Sequence, residues 1–258
     1  MKFRFHLTER WAPEYGNWVS KRLIYVPATV GIGFIVLAMW SLVLMILGTM
    51  FLLVAAYFGY ARYLFSPRGG DVQGSIWSIL LTHLEWDGRG QALDIGCGNG
   101  GLSIRLVKKF PDAKIIGVDS WGAKWGYSKS LCERNASLES VGECVTFQRA
   151  NASSLPFPDE SFDVVVSNLV FHEVRDTRDK VKLVREALRV VRKGGRFALQ
   201  DLFLMKQVYG DVDELLRTIR GWGVTKVEFV ETRKAPFIPR VLKLPFMVGT
   251  LGLIVGEK

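Results

Sequence analysis

The sequence contains few cysteines, and their arrangement argues against two kinds of stabilised fold. The 258 residues include only Cys97, Cys132 and Cys144, an odd number without the short spacing of metal ligands. Neither a disulfide framework nor a structural zinc site is therefore predicted. Thiols scattered in this way are typical of the reducing cytoplasm.

Charge is absent from one long segment near the N-terminus. Between Ile24 and Phe65 the first charged residue is Arg62. At ~1.5 Å per residue, this run is far too long for one upright helix through a ~30 Å hydrocarbon core. It is also too long for the apolar part of a signal peptide. A soluble domain rarely buries an uncharged run of this length, so residues 24–65 are predicted to be a transmembrane segment rather than a core helix.

Basic residues on both sides of this segment favour two membrane spans over one. They are Lys2, Arg4, Arg10, Lys21 and Arg22 before it, and Arg62 and Arg68 after it. Since basic flanks are usually cytoplasmic, an even number of spans satisfies both flanks, whereas one tilted span would leave one of them outside. The break is expected at Trp40–Ser41 or at Gly48–Thr49. The chain is therefore predicted to be a multi-pass membrane protein whose C-terminal part faces the cytoplasm.

The net charge of +9 at pH 7 is not concentrated in any run of Lys and Arg in the rest of the chain. A nucleic-acid-binding protein is expected to carry such a basic patch, so no nucleic acid partner is predicted. Attraction to anionic lipid headgroups explains the charge more simply, which makes the lipid bilayer the expected partner.

Strand and helix patterns alternate beyond the linker marked by Pro67, Gly69 and Gly70. This alternation predicts a Rossmann-like, doubly wound α/β fold with a mostly parallel seven-stranded sheet. A helix over Thr177–Gly195 is expected to end at its glycine pair. No helix separates the last two strands, so an antiparallel pair is expected at one sheet edge. The predicted strands are "QALDIG", "AKIIGVD", "CVTFQRA", "FDVVVSN", "RFALQDLF", "VTKVEFVET" and "FMVGTLGLIVGEK".

The predicted organisation therefore has three parts. A basic N-terminal segment covers residues 1–23, the transmembrane helical hairpin covers 24–65, and the α/β domain covers 66–258. The oligomeric state is left open.

A glycine-rich loop follows the first predicted strand, in the stretch "ALDIGCGNGG". Glycines clustered after a strand indicate a sharp turn or the close approach of a ligand, and ligands of such sheets bind beyond the carboxyl ends of the strands. Gly96, Gly98 and Gly101 also satisfy the G-x-G-x-x-G dinucleotide pattern. A nicotinamide-dependent oxidoreductase is therefore an alternative, although the sequence has no Tyr-x-x-x-Lys pair. A non-catalytic ligand-binding protein of the same fold is another.

Two carboxylates near this loop favour a different ligand. Asp94, just before the glycines, would face a pyrophosphate poorly but suits an ammonium group. Asp119, at the end of the second strand, can accept both hydroxyls of a ribose. S-adenosylmethionine combines a cationic amino acid end with a ribose. From about Gln91 to Phe203 the sequence resembles the class I S-adenosylmethionine-dependent methyltransferases, chiefly those with the motif "LDIGCGNG".

The resemblance implies S-adenosylmethionine as the cofactor and methyl transfer to an acceptor that the sequence does not identify. Asn151 stands where members often carry an acid for the adenine amino group, and its carbonyl oxygen can accept the same hydrogen bond. Phe157 is expected near the adenine ring, and Trp121 and Trp125 are either core aromatics or stack close to it. The implied cofactor contacts are Asp94, Gly96, Cys97, Gly98, Asn99, Gly100, Asp119, Ser120, Asn151, Ala152 and Asn168.

His172 and Glu173, which follow the fourth strand, are the candidate catalytic residues. The methyl donor is already activated, so a general base matters only if the acceptor must lose a proton. The alternative is a structural histidine beside an exposed glutamate. No metal ligands are predicted.

The connection between the last two strands interleaves basic and large apolar residues, in "TRKAPFIPRVLKLPFMVG". This composition suits a membrane interface and would favour a lipid-soluble acceptor. The alternative is a connection whose apolar residues pack on the domain.

Overall fold

The structure is a computed structural model that describes residues 12–38, 41–122 and 126–258. Lys2, Arg4, Arg10, Trp40 and Trp125 lie outside the described residues. The described residues form two compact units, of which one comprises Asn17–Ile76 and the other comprises the remainder.

The first unit contains two apolar helices, α1 (Arg22–Leu37) and α2 (Leu42–Phe65). They run antiparallel, and their closest approach is at two glycines. A Cβ atom built on Gly31 would lie 2.9 Å from the carbonyl oxygen of Gly48, and the reverse distance is also 2.9 Å. Glycine therefore allows the two backbones to touch, as in closely packed membrane helices. The break falls between the two helices, and the alternative position at Gly48–Thr49 lies inside α2.

Large apolar side chains cover the outside of this helix pair. Among the described residues, every exposed large hydrophobic side chain lies on α1 or α2, except Leu244 and Phe246. By length and composition, only α2 among the described helices could cross a membrane. Helix α1, which contains Pro27, has only 16 residues, and a membrane span needs ~20 residues. A pair of full spans is therefore not confirmed.

The second unit is built on a seven-stranded sheet in the order β3-β2-β1-β4-β5-β7-β6. Strand β7 is antiparallel to both of its neighbours, and the other strands are parallel to one another. The sheet confirms the fold class and the antiparallel last strand. The strands are β1 (Gly90–Ile95), β2 (Ala113–Asp119), β3 (Val145–Arg149), β4 (Phe162–Asn168), β5 (Val191–Asp201), β6 (Lys226–Val230) and β7 (Gly252–Glu257).

Helices cover both faces of this sheet. The face that carries Leu93 and Val165 packs against α6 (Val181–Arg189) and α8 (Val212–Arg220) in one buried cluster. Helix α4 (Gly101–Lys109) lies on the opposite face, where Ser103 contacts Asp94. The other helices after α2 are α3 (Val72–His83), α5 (Lys129–Leu138) and α7 (Lys206–Tyr209).

The predicted helix over Thr177–Gly195 was wrong at its C-terminal end. Helix α6 ends at Arg189, and β5 begins two residues later at Val191. The buried Val190 and Val191 favour the sheet, since branched side chains pack well on a pleated surface. The glycine pair lies within β5, beside a shift in its register with β4, rather than at a helix end.

The connection between β6 and β7 is partly buried and partly exposed. Ile238 and Leu242 are buried, whereas Leu244 and Phe246 are 36% and 64% exposed. Strand β6 is parallel to β1, β4 and β5, so the connection begins at the sheet edge where those strands end. Packing on the domain is therefore confirmed for Ile238 and Leu242, whereas contact of Leu244 and Phe246 with a membrane stays a prediction.

Candidate functional site

The loop after β1 turns sharply because its glycines adopt left-handed backbone angles. Gly96, Gly98 and Gly100 have φ of +73°, +57° and +81°. The N–H groups of Gly96 and Cys97 donate to the carbonyl oxygen of Val118 in β2, at 2.7 and 3.0 Å. The loop is thus fixed to the neighbouring strand before α4 begins at Gly101.

Gly96 is also required by a close contact. A Cβ atom at this position would lie 2.1 Å from Cγ2 of Val170, in the segment that follows β4. The loops after β1 and β4 therefore touch at the point where the strand order reverses, which is the usual ligand site of such sheets.

Asp119 joins two loops at the end of β2. Its Oδ2 atom accepts a hydrogen bond from the N–H of Gly98 at 2.9 Å, and its Oδ1 atom accepts one from the N–H of Trp121 at 2.7 Å. The indole N–H of Trp121 donates in turn to the carbonyl oxygen of Gly98, at 2.8 Å. Burial raises the pKa of Asp119, and these N–H groups oppose the rise. Because a carboxylate can accept about four hydrogen bonds, room remains for ribose hydroxyls.

Asp94 is a carboxyl group held almost without solvent. It is 1% exposed, and its Oδ2 atom accepts a hydrogen bond from Ser103 Oγ at 2.5 Å. Burial raises its pKa to about 7, and the charge of Asp119 adds to the rise. A cation beside Asp94 would relieve this desolvation, so the site suits an ammonium group.

Asn168 offers a second acceptor at the same edge of the sheet. It ends β4 on the face that carries Asp94, because Val166 is the β4 partner of Asp94 and side chains alternate along a strand. Its Oδ1 atom is buried and has no hydrogen-bond partner among the described residues. An orphaned acceptor is costly unless a ligand supplies the donor. Asp94 and Asn168 together therefore fit the amino acid end of S-adenosylmethionine.

Asn99 and Cys97 support the loop from within. The carbonyl oxygen of Asn99 accepts a hydrogen bond from Asn135 Nδ2 at 3.0 Å, and Asn135 also donates to the carbonyl oxygen of Glu14 at 2.9 Å. Cys132 Sγ donates to Gly98 O at 3.0 Å. Burial raises the pKa of the Cys97 thiol, which keeps it neutral. No local pattern indicates the contacts of Asn135, because its partners lie far away in the chain.

Asn151 forms a tight turn after β3. Its Oδ1 atom accepts a hydrogen bond from the N–H of Ser153 at 3.2 Å, and its Nδ2 atom donates to Asp176 Oδ2 at 2.5 Å. The preceding residue, Ala150, donates its N–H to the carbonyl oxygen of Asp119 at 3.1 Å, which brings this turn next to β2. The predicted contact of Asn151 with adenine stays a prediction.

The other residues expected near adenine have different environments. Ser120 is exposed directly after β2, and Ala152 is buried. Phe157 packs edge-to-face against Phe162, with ring centroids 4.9 Å apart. Phe157 thus contacts the core, and a role near adenine is untested.

His172 lies in a 3₁₀ turn, Phe171–Glu173, that follows β4. Its Nδ1 atom lies 2.6 Å from Oδ1 of Asp201, the last residue of β5, and its Nε2 atom lies 3.8 Å from Oε1 of Glu173. Asp201 is 1% exposed. Asp201 is not among the residues predicted from the sequence, although an acid at the end of an apolar strand is the same signal that Asp119 carries.

The close contact of Gly96 predicts that Gly96→Ala destabilises the protein by about 2–4 kcal/mol, because the methyl group adds overpacking to backbone strain. The control is Gly223→Ala, where φ is also positive but no atom lies within 4 Å of the added Cβ. Urea unfolding of the full chain in mild detergent measures both variants. Equal losses in the two would show that the contact with Val170 has no cost.

The buried Asp94 predicts that stability falls as the pH rises. Its pKa in the folded state is about 7, above the ordinary value of 3.8, so the folded chain binds this proton more tightly than the unfolded chain. The contribution is complete below about pH 4 and is lost progressively up to about pH 7, at ~1.4 kcal/mol per unit or less. Asp94→Asn should therefore be more stable than the parent at pH 8, and the difference should shrink at pH 5.

Urea unfolding at the two pH values measures this effect, with the exposed Asp112→Asn as the control. A pH dependence that is identical in the parent and in Asp94→Asn would contradict the prediction.

Comparison with known proteins places residues 93–199 in a family model described as a methyltransferase domain. The 27-O-demethylrifamycin SV methyltransferase of Amycolatopsis mediterranei is 37% identical over 148 residues, which are 55% of this chain and 50% of that protein. A demethylmenaquinone methyltransferase of Roseiflexus castenholzii is 33% identical over 119 residues, covering 46% and 45% of the two chains. The chain thus spans about half the length of these curated relatives.

Solved structures share the fold over a larger part of the chain. The geranyl diphosphate C-methyltransferase of Streptomyces coelicolor, solved with S-adenosyl-L-homocysteine, has a TM-score of 0.55 at 16% identity and covers 76% of this chain and 86% of its own. The [4+2]-cyclase SpnF has a TM-score of 0.54 at 18% identity, with 73% and 81% covered. Residues 93–199 thus match a methyltransferase domain in sequence, and the structural neighbours share its fold; together they support S-adenosylmethionine as the cofactor.

Proposed function

We propose that this protein is a membrane-associated enzyme that transfers the methyl group of S-adenosylmethionine to a lipid-soluble acceptor. The observation that carries the proposal is the pair of carboxylates, Asp94 and Asp119, on either side of a glycine loop that lies at the reversal point of the sheet. A nicotinamide cofactor would place a pyrophosphate near Asp94, where like charges repel.

Each polar part of the cofactor would meet residues of matching charge or hydrogen-bonding character. Asp94 and the orphaned Asn168 Oδ1 would receive the ammonium group, and the bound cation would favour the ionised form of Asp94 at neutral pH. Asp119 would accept hydrogen bonds from the ribose, with Ser120 beside it. Asn151 and Ala152 would line the adenine side.

S-adenosylmethionine supplies a methyl group that is already activated, so the protein contributes mainly position and the exclusion of water. The contact of Gly96 with Val170 brings the donor loop against the segment that carries His172. An acceptor at this edge of the sheet would therefore meet both.

Two apolar surfaces support a membrane association. Helices α1 and α2 expose large apolar side chains along their lengths. An apolar surface of this size is unfavourable in water and indicates a membrane or protein partner. On the other unit, Arg240 and Lys243 accompany the exposed Leu244 and Phe246 on the β6–β7 connection. Cations beside exposed apolar side chains suit an interface of phosphates and acyl chains.

A lipid-soluble acceptor is consistent with both surfaces and with the relatives. The β6–β7 connection begins at the same carboxyl end of the sheet as the donor loop, so a molecule drawn from a bilayer there would enter on the side of the sheet that holds the donor. Relatives include a demethylmenaquinone methyltransferase and a phthiotriol/phenolphthiotriol dimycocerosates methyltransferase of Mycobacterium tuberculosis, which is 34% identical over 128 residues, 50% of this chain and 43% of that protein. The [4+2]-cyclase SpnF shows that the same fold can also carry a reaction other than methyl transfer.

The function is tested with the full chain in mild detergent and methyl-labelled S-adenosylmethionine. Solvent-extracted membrane lipids should take up label, and the aqueous extract should not. Asp119→Ala should weaken binding of S-adenosylhomocysteine by roughly 1–3 kcal/mol, the usual cost of losing a charged hydrogen-bonding group. Calorimetric titration measures this loss, with the exposed Asp112→Ala as the control.

Binding of NAD in place of S-adenosylhomocysteine would overturn the choice of cofactor. Donor binding without label uptake by either extract would favour a non-methylating protein of this fold. Label in the aqueous extract alone would contradict the lipid-soluble acceptor.

The proposed hairpin predicts which residues a membrane-impermeant maleimide reaches in intact cells. Ser41→Cys, between α1 and α2, should react from outside, whereas Lys21→Cys should not. A single span through α2 would make both accessible, because α1 would then stay outside. Asp112→Cys in the catalytic unit is the cytoplasmic control. Failure of all three to react would contradict an inserted helix pair.

A further inference from the structure

The geometry points to His172 as a general base that takes the proton of an acceptor hydroxyl, with Asp201 as the residue that positions it. The methylated atom is then an oxygen, and the acceptor is a lipid-soluble molecule with an aromatic hydroxyl. This inference rests on the proposed methyltransferase function.

Asp201 determines which nitrogen of His172 carries the proton. Its two oxygens accept hydrogen bonds from three backbone N–H groups and face one ring nitrogen of His172. Oδ2 lies 2.8 Å from the N–H of Phe171 and 3.4 Å from that of His172, and Oδ1 lies 2.6 Å from the N–H of Leu202 and 2.6 Å from His172 Nδ1. An ionised carboxylate can only accept hydrogen bonds, so the ring nitrogen that lies 2.6 Å from Oδ1 must carry the proton. Nδ1 therefore donates, and Nε2 is the basic nitrogen of the ring.

The same contacts hold the ring beside the donor loop. Asp201 accepts from the backbone of Phe171 and His172, so it fixes the 3₁₀ turn as well as the imidazole. Phe171 is 1% exposed and anchors the turn in the core. Val170, directly before the turn, is the side chain against which Gly96 packs. The His172 side chain is 22% exposed, so a substrate can reach it.

The groups around His172 favour the charge that it gains as a base. The carboxylate of Glu173, with Oε1 at 3.8 Å from Nε2, stabilises an imidazolium. Tyr209 of α7 is buried beside Asp201, and burial raises the pKa of its phenol, so it stays neutral. Asp201 orients the ring and stabilises the same positive charge, as a buried carboxylate does for a catalytic histidine.

The proton balance then defines the step. The acceptor oxygen forms a bond to the methyl carbon while the bond from that carbon to sulfur breaks. The sulfur keeps the electron pair of the broken bond and becomes a neutral thioether. The hydroxyl proton passes to His172 Nε2, which releases it to water after the products leave.

The strength of the base limits the class of acceptor. A neutral imidazole is matched far better to a phenolic hydroxyl, with a pKa near 10, than to the much less acidic aliphatic hydroxyl or C–H group. A neutral amine or an ionised thiol would need no base in the transfer step. Among these acceptors, an aromatic hydroxyl is the one that must lose a proton and that His172, held by Asp201, can deprotonate.

The experiment uses the full chain in detergent with two matched probes, a long-chain 4-alkylphenol and the corresponding 4-alkyl aryl thiol. The thiol is ionised at pH 8 and needs no base. His172→Gln should lower methyl transfer to the phenol about 10²–10⁴-fold and transfer to the thiol less than about threefold. Asp201→Asn should lower phenol methylation at least about tenfold, and the exposed Asp112→Asn, which should leave it unchanged, is the control for the same exchange. Affinity for S-adenosylhomocysteine should be unchanged in all three variants.

Nitrogen-15 NMR of labelled histidines reports the tautomer directly, with the His172 signals assigned by their loss in His172→Gln. The parent should show a proton on Nδ1, and Asp201→Asn should shift it toward Nε2. A parent with the proton on Nε2 would overturn the inference, as would equal losses on phenol and thiol. Transfer to neither probe by the parent would count against the proposed function itself, and the inference would fall with it.

Discussion

The carboxylate of Asp119 is the contact on which the arrangement of the donor site depends. It accepts N–H groups from the glycine loop and from the segment after β2, and Trp121 closes the ring of contacts by donating back to the loop. A loop of glycines has many accessible backbone states, so it needs such fixed partners to present one surface. Without this carboxylate, the loop would lose its connection to β2 beyond the two N–H groups that Val118 receives.

Three carboxylates at strand ends illustrate how environment separates function. Asp94 has one side-chain partner and almost no solvent, and its pKa rises to about 7. Asp119 has backbone partners that partly offset its burial. Asp201 is equally buried, but it accepts hydrogen bonds from three backbone N–H groups and from the ring of His172, and these donors stabilise its charge. The number of donors, more than burial alone, therefore decides which carboxylate can respond to a ligand cation and which acts as a rigid support.

Among the described residues, the exposed large apolar side chains lie on a helix pair and on one loop tip. Gly31 and Gly48 let α1 and α2 pack backbone to backbone, which leaves their larger side chains on the outside. On the catalytic unit, Ile238 and Leu242 turn into the domain, while Leu244 and Phe246 turn out beside two cations. This division is the opposite of an ordinary soluble surface, where large apolar side chains are exposed singly.

Much of the fold followed from local patterns. Strands "AKIIGVD" and "FDVVVSN" have the predicted bounds, because their apolar runs are bordered by turn residues and need no distant partner to be recognised. The glycine loop was predictable for the same reason, since each glycine allows a positive φ at its own position. The end of α6 was not, because Val190 and Val191 enter the sheet through contacts with β4 that a helical periodicity does not contain.

The sequence by itself determined the alternating fold, the loop and the carboxylates Asp94 and Asp119, since each is written in adjacent residues. Only the tertiary structure brought His172 to Asp201, Gly96 to Val170, and Asn135 to both Glu14 and Asn99. These pairs are far apart in the chain, so they form only when the register of the sheet and the packing of its helices place them together. Only the folded chain also decided which apolar residues of the last connection are buried, because burial depends on neighbours that no short stretch of sequence specifies.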